Sequence, residues 1–249
     1  MKHTLPHPMT DIANCAPPFS SQSAAGRPTG LANRLASGLL LAVVLGVSGC
    51  GSLTPPARPV VYDFGPGATA VQASNRMARE STITLPEVDA PVALEGTAVL
   101  YRLAYADAQQ LRPYALARWT MPAAQLLRQR LREQLGQKRT VLAPGEAGPP
   151  MPLTSTQPFV PPPAVVRIEL EEFSQLFDTP HSSAGLVRMR ATVLQTGANG
   201  ARSSAQNTFV VQRPAHTADA AGGVKALAQA TDEVIVQLDT WLRQTIVAP

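Results

Sequence analysis

The stretch Val166-Arg-Ile-Glu-Leu-Glu-Glu-Phe173, with Val187-Arg-Met-Arg-Ala-Thr-Val193 and Ala205-Gln-Asn-Thr-Phe-Val-Val-Gln212 after it, decides the fold class. Side chains alternate across a strand, so residues two apart share a face. Val166, Ile168 and Leu170 fall on one side, and Arg167, Glu169 and Glu171 on the other. The phase slips at Glu172-Phe173, which places a bulge there. Val187, Met189, Ala191 and Val193 alternate with Arg188, Arg190 and Thr192, and Phe209 and Val211 point inward in the third segment. Gly197-Ala-Asn-Gly200 has the composition of a hairpin turn. The three segments read as a meander.

Working outward, the pattern changes period. Val224, Leu227, Ala228, Thr231, Ile235, Leu238 and Leu242 form a helical apolar stripe, with Gly222 and Gly223 expected at its start. Upstream, Ala124, Leu127, Leu131 and Leu135 recur at helical spacing; Pro122 sits in the first turn and Gly136 stops the helix. Further strands are expected at Val60 to Gly65, Ile83 to Leu85, Thr97 to Tyr105 and Arg139 to Leu142, and residues 66–80 read as irregular. Residues 144–163 hold eight prolines, a density that excludes helix and central strand and reads as an exposed loop of low order. The expectation is a single α+β domain over residues 60–247: a mostly antiparallel or mixed β-sheet packed with two amphipathic helices.

Ahead of this domain lies a different kind of segment. Arg27 and Arg34 precede the uncharged run Leu35 to Val47, about 13 residues long, which suits the apolar part of a signal peptide. It is too short to span a bilayer, which takes about 20 apolar residues. Val47-Ser-Gly-Cys50 then resembles the lipobox of bacterial lipoprotein precursors. The resemblance implies cleavage of residues 1–49, an S-diacylglyceryl group on the Cys50 thiol and an N-acyl group on its freed amine. One acyl chain anchors only reversibly, whereas two or more hold. Gly51, in place of an aspartate, implies delivery to the periplasmic face of the outer membrane. Residues 50–59, with Pro55, Pro56 and Pro59, read as the lipidated tether. The stretch before the apolar run is long for such a signal, and Met9 is an alternative start.

The charge balance excludes one function class. Removing Lys2, Arg27, Arg34 and Asp11 leaves 18 basic and 16 acidic side chains of the original 21 and 17. Arg128, Arg130 and Arg132 scatter around one helix beside Glu133, so there is no concentrated basic face for nucleic acid. Cys15 leaves with the signal and Cys50 carries lipid, so the mature domain has no cysteine for a disulfide.

The stretch from Tyr101 to Leu131, together with the lipobox and Tyr62-Asp-Phe-Gly65, resembles the ABC-type transport auxiliary lipoproteins, the PqiC- and YmbA-like group. The resemblance covers most of residues 60–245. It implies a non-catalytic accessory of an MCE-type ABC system that moves lipid between membranes. The implied partners are an MCE-domain protein, the permease and ATPase subunits, the membrane through the anchor, and phospholipid. A second reading, from another class, is a structural lipoprotein of an outer-membrane assembly or secretion complex. Monomer and ring are both compatible with the periodicity. The chain lacks a Gly-x-x-x-x-Gly-Lys-(Ser/Thr) loop, so ATP hydrolysis falls to a partner.

Candidates for catalysis are few, and no catalytic, cofactor or metal site is assigned. His181 and His216 lie in polar, turn-like surroundings, with no His-Glu-x-x-His or Gly-x-Ser-x-Gly motif. Glu171 and Glu172 point to opposite faces unless the strand bulges between them. A partner surface is sketched by Tyr105, Arg112, Tyr114, Arg118 and Trp119, residue types enriched at interface hot spots. Aromatics at a strand end and a helix start more often close the core, which is the favoured reading of the same residues.

Overall fold

The alternating stretches fold as strands longer than their periodic cores. The computed structural model describes residues 57–67, 80–146, 161–197 and 200–246. In chain order it forms β1 (Val60–Tyr62), β2 (Ile83–Thr84), β3 (Ala98–Leu103), α1 (Ala104–Asp107), β4 (Ala108–Trp119) and α2 (Ala123–Leu135). Then come β5 (Val141–Leu142), β6 (Ala164–Thr179), β7 (Ser182–Thr196), β8 (Arg202–Pro214) and α3 (Ala220–Thr245). The leader, Cys50, and most of the tether, of 66–80 and of the proline-rich 144–163 lie outside the described residues.

Strand β6 organises the sheet. Along one edge it pairs antiparallel with β7, which pairs antiparallel with β8, giving the expected meander. Along its other edge it takes three separate pieces of chain, all parallel: β2 at Ala164 and Val165, Asp89 opposite Glu169, and β3 at Gln175 to Phe177. From there the sheet forks, with β5 beyond β2 on one branch and β4 then β1 beyond β3 on the other. The result is a mixed eight-stranded sheet.

The bulge falls where the sequence slips, between Leu170 and Glu172. Before it Val166, Ile168 and Leu170 are buried; after it Phe173, Gln175 and Phe177 are. One extra residue has thus switched which parity faces the core.

Two expectations are corrected upstream. The strand ends at Leu103 rather than Tyr105, and one helical turn, α1, carries Tyr105 outside the sheet. Tyr114 and Trp119, read as aromatics at a helix start, lie instead in a twelve-residue strand, β4. It lacks alternation because much of it is exposed and its pairing with β3 is irregular: Arg118 pairs with Ala98 and Pro113 with Leu100, so five steps of β4 cover two of β3. Pro113, without an N–H to donate, sits at that irregularity.

The helices cover the inner face. Leu127, Leu131 and Leu135 of α2 are at most 1% exposed, each contributing roughly 1.5–3 kcal/mol by leaving water. Helix α3 begins at Ala220, one residue beyond the Asp219 cap that accepts from Gly222 N, so Gly222 and Gly223 lie inside its first turn. They are needed for proximity: a Cβ on Gly223 would stand 2.0 Å from Gln175 Oε1, and one on Gly185 of β7 only 2.5 Å from Leu227 N. Helix and sheet backbones approach here as closely as glycine allows. Further along α3, Trp241 meets Phe209 of β8 edge-on at 5.9 Å.

Candidate functional site

Strand β4 carries four of the five residues sketched as a partner surface, and its two ends differ. At its start, Tyr105 on α1 is 48% exposed. Arg112, partly exposed, donates from Nε to Gln110 Oε1 at 2.8 Å. Tyr114 packs on Tyr101 with ring centroids 4.6 Å apart and the rings tilted by 41°, and Tyr101 meets Phe177 at 6.0 Å. The Tyr114 hydroxyl donates to Gln175 Oε1 at 2.9 Å, and Gln175 Nε2 donates to Ser183 Oγ at 2.7 Å. Burial first, then the neighbouring Tyr101 and Asp219, push the Tyr114 phenol well above its ordinary value, so it stays a donor. Gln175 is fully buried, and this chain of bonds satisfies it while tying β4, β6 and β7 together.

At the far end, Arg118 lies along its own strand, Nη1 donating to the carbonyls of Tyr114 at 2.5 Å and Ala117 at 2.9 Å. Trp119 is 3% exposed, packed at 5.7 Å from Phe64 and 5.6 Å from Phe173. It closes the core, so a partner cannot reach it.

Two carboxylates adjoining the bulge are each held by an arginine. Glu172 accepts from Arg102 Nε at 3.1 Å and Nη2 at 2.9 Å, and from Ser174 Oγ at 2.6 Å. Arg102 Nη1 reaches on to the carbonyls of Ala108 and Gln109, at 3.2 and 3.0 Å, fixing where β4 begins. Glu171 pairs with Arg190. Sequence reasoning missed this clamp because Arg102 and Glu172 lie 70 residues apart and neither stands in a motif.

A second polar seam joins the helices. Asp232 accepts from Arg130 at 2.7 and 3.0 Å, and Asp239 pairs with Lys138 and Arg139, both at 2.8 Å. Burial would raise the Asp239 carboxyl, but the bonds and charges of Lys138 and Arg139 outweigh it and hold the group below its usual value. Three adjoining clefts follow this seam, of about 610, 410 and 250 Å³. Gln134 and Val236 are shared by the first two, and Arg130 and Glu133 by the second and third. Much of their lining is ion-paired, unlike the mostly apolar lining of a small-molecule pocket.

His181 stands in the exposed two-residue turn between β6 and β7, and His216 is exposed after β8. Among the described residues, no group of three or more His, Cys, Asp or Glu is placed to hold a metal ion, and no helix is long and apolar enough to cross a membrane.

The geometry is that of a helix-backed α+β scaffold in which charged side chains bind its elements to one another. The chain belongs to the ABC-type transport auxiliary lipoprotein components, whose family model matches residues 62–238. It is thus an auxiliary component of an ABC-type transport system, from a family of cell-envelope lipoproteins. The crystal structure of protein XCC0632 from Xanthomonas campestris is similar in fold: TM-score 0.52, 16% identity, over 77% of this chain and 89% of that one. The structure of an uncharacterized protein matches with TM-score 0.47 and 18% identity, over 74% of this chain and 99% of that one. Lipoprotein GNA1162 from Neisseria meningitidis matches with TM-score 0.23 and 15% identity, over 65% and 99%. No curated protein matches the chain.

Proposed function

We propose that this protein is a non-catalytic accessory of an MCE-type ABC system for lipid trafficking, held by a lipidated Cys50 at the periplasmic face of the outer membrane. The observation that carries the reading is the order of the chain. Val47-Ser-Gly-Cys50 follows an export-type apolar run, and a match to a lipoprotein family of ABC-type transport begins at Tyr62. Gly51 supports outer-membrane delivery. A scaffolding role is supported by the fate of the ionisable groups: Glu171 and Glu172 are bound to arginines, and the two histidines stand apart in exposed turns. Contact with the MCE protein and the permease is assigned to the start of β4, where Tyr105 and Arg112 are accessible and Tyr114 is braced from behind by Gln175. Arg118, at the other end of the strand, is outside that surface.

Affinity capture of the membrane-anchored protein is expected to recover MCE and permease subunits, and Tyr105→Ala combined with Arg112→Ala to weaken that recovery. Capture of a β-barrel or a secretion apparatus in their place would replace this reading with a structural one.

A further inference from the structure

Exposed aliphatic side chains flank one corner of the sheet, two of them on the same face. Val60 and Val61 of β1 are 52% and 59% exposed, and Leu116 of β4 is 49% exposed. Strand register sorts them by face, because Val60 pairs with the buried Ala117 and Val61 with Arg118. Paired residues of adjacent strands point to the same face, and successive residues alternate. Val61, Leu116 and Arg118 therefore share the face turned away from Ala117 and Trp119, which are in the core. Arg58, also exposed, precedes the strand. Asp63, the nearest acid along β1, accepts from Gly65 N at 2.8 Å. Val61 and Leu116, with exposed Arg58 beside them, suit the headgroup level of a phospholipid layer, where an arginine stem stays apolar and its fork binds phosphate; Arg118, bonded to its own strand's carbonyls, adds only its stem.

We propose that this β1–β4 corner rests on the phospholipid surface of the membrane that carries the anchor. The inference rests on the reading of Cys50 as the lipid site. The length of chain ahead of the corner selects lipid as the occupant. Residues 50–59 are ten in number, and ten residues span at most about 36 Å fully extended. The corner is the first part of the folded domain reached from the anchor. A patch too small to bind a bilayer by itself is held against one at high effective concentration when tethered this closely.

The test uses the full-length lipidated protein in vesicles of phosphatidylethanolamine and phosphatidylglycerol. Since the mature chain has no other cysteine besides Cys50, Val61→Cys, Leu116→Cys and Val210→Cys each accept a single environment-sensitive fluorophore. Val210, on β8 and 51% exposed, is the control. Emission from positions 61 and 116 is expected to shift to the blue and to be quenched by doxyl-labelled lipid, with neither effect at 210. Labels at 61 and 116 that match 210 while the protein floats with the vesicles would overturn the proposal. So would a blue shift that lipid quenchers do not touch, which would mean a protein surface covers the corner. A protein that does not float, or a Cys50→Ala variant that floats equally well, would instead remove the anchor reading and this inference with it.

Discussion

Asp239 gathers Lys138, Arg139 and Arg243 within 2.8, 2.8 and 3.6 Å, and the side chains of Asp239 and Arg139 are only 5% and 1% exposed. Removing one partner of a buried pair leaves the other charge uncompensated, at a cost of about 3–5 kcal/mol. Asp239→Ala is expected to lower stability by that amount, read from the urea midpoint. The pH dependence follows from the direction of its shift. A carboxyl whose folded pKa lies below its ordinary 3.8 stabilises the fold above that value and loses the contribution as the pH falls through the folded one. Acid unfolding below about pH 4 should therefore be shallower in Asp239→Asn than in the parent, and equal slopes would contradict the assignment. None of this was legible in the sequence, where Arg139 reads as the first residue of a short strand and Asp239 as one polar position on a helix. The pairing comes from how the connection after α2 is laid against α3, 100 residues further along the chain.

Elements with a strong period were legible and those without one were not. The α2 stripe, the meander and the slip at Glu172 all follow from residues whose burial alternates regularly. Strand β4 does not alternate, so nothing local separates it from a loop; its strand form comes from β1 and β3 on either side. Gly222 and Gly223 do stand in the first turn of α3, but for a reason the sequence does not show: Gly223 makes room for Gln175. Gly185 plays the same part on β7, opposite the backbone of Ala226 and Leu227. Gly185→Ala should push α3 off the sheet at a cost of about 1–3 kcal/mol or more. Its melting temperature should fall clearly, and a variant as stable as the parent would mean that the helix does not approach so closely. On the exposed Ser203, alanine should have little effect.

At the scale of the molecule, the fold class was legible in the meander and the two helical stripes, and the family in Tyr101 to Leu131 together with the lipobox and Tyr62-Asp-Phe-Gly65. The accessible part of the proposed partner surface was not, since Trp119 looks the same on paper whether it faces a partner or the core. Cys50→Ala is expected to leave the domain folded by circular dichroism and to move it from the membrane fraction to the soluble one. Retention in membranes would refute the anchor. A second expectation comes from β6, whose one edge receives β2, Asp89 and β3. A chain truncated after Pro163 lacks that strand, leaving β2 and β3, and through them both branches of the fork, without the strand that joins them. It should be degraded by protease far faster than the full chain, and a resistant fragment would show that the forked half stands alone.

The fork at β6 also sets a timetable. Residues 60–119 leave the ribosome well before residue 164; β1, β3 and β4 pair with one another, but the second edge of β3 and one edge of β2 wait for a strand that has not arrived. Contacts so distant in sequence close slowly, because loop entropy is lost before they are gained. Until then the early half is an open piece of sheet, with β3 free along one edge and β2 without its β6 neighbour. The sheet closes only when β6 arrives.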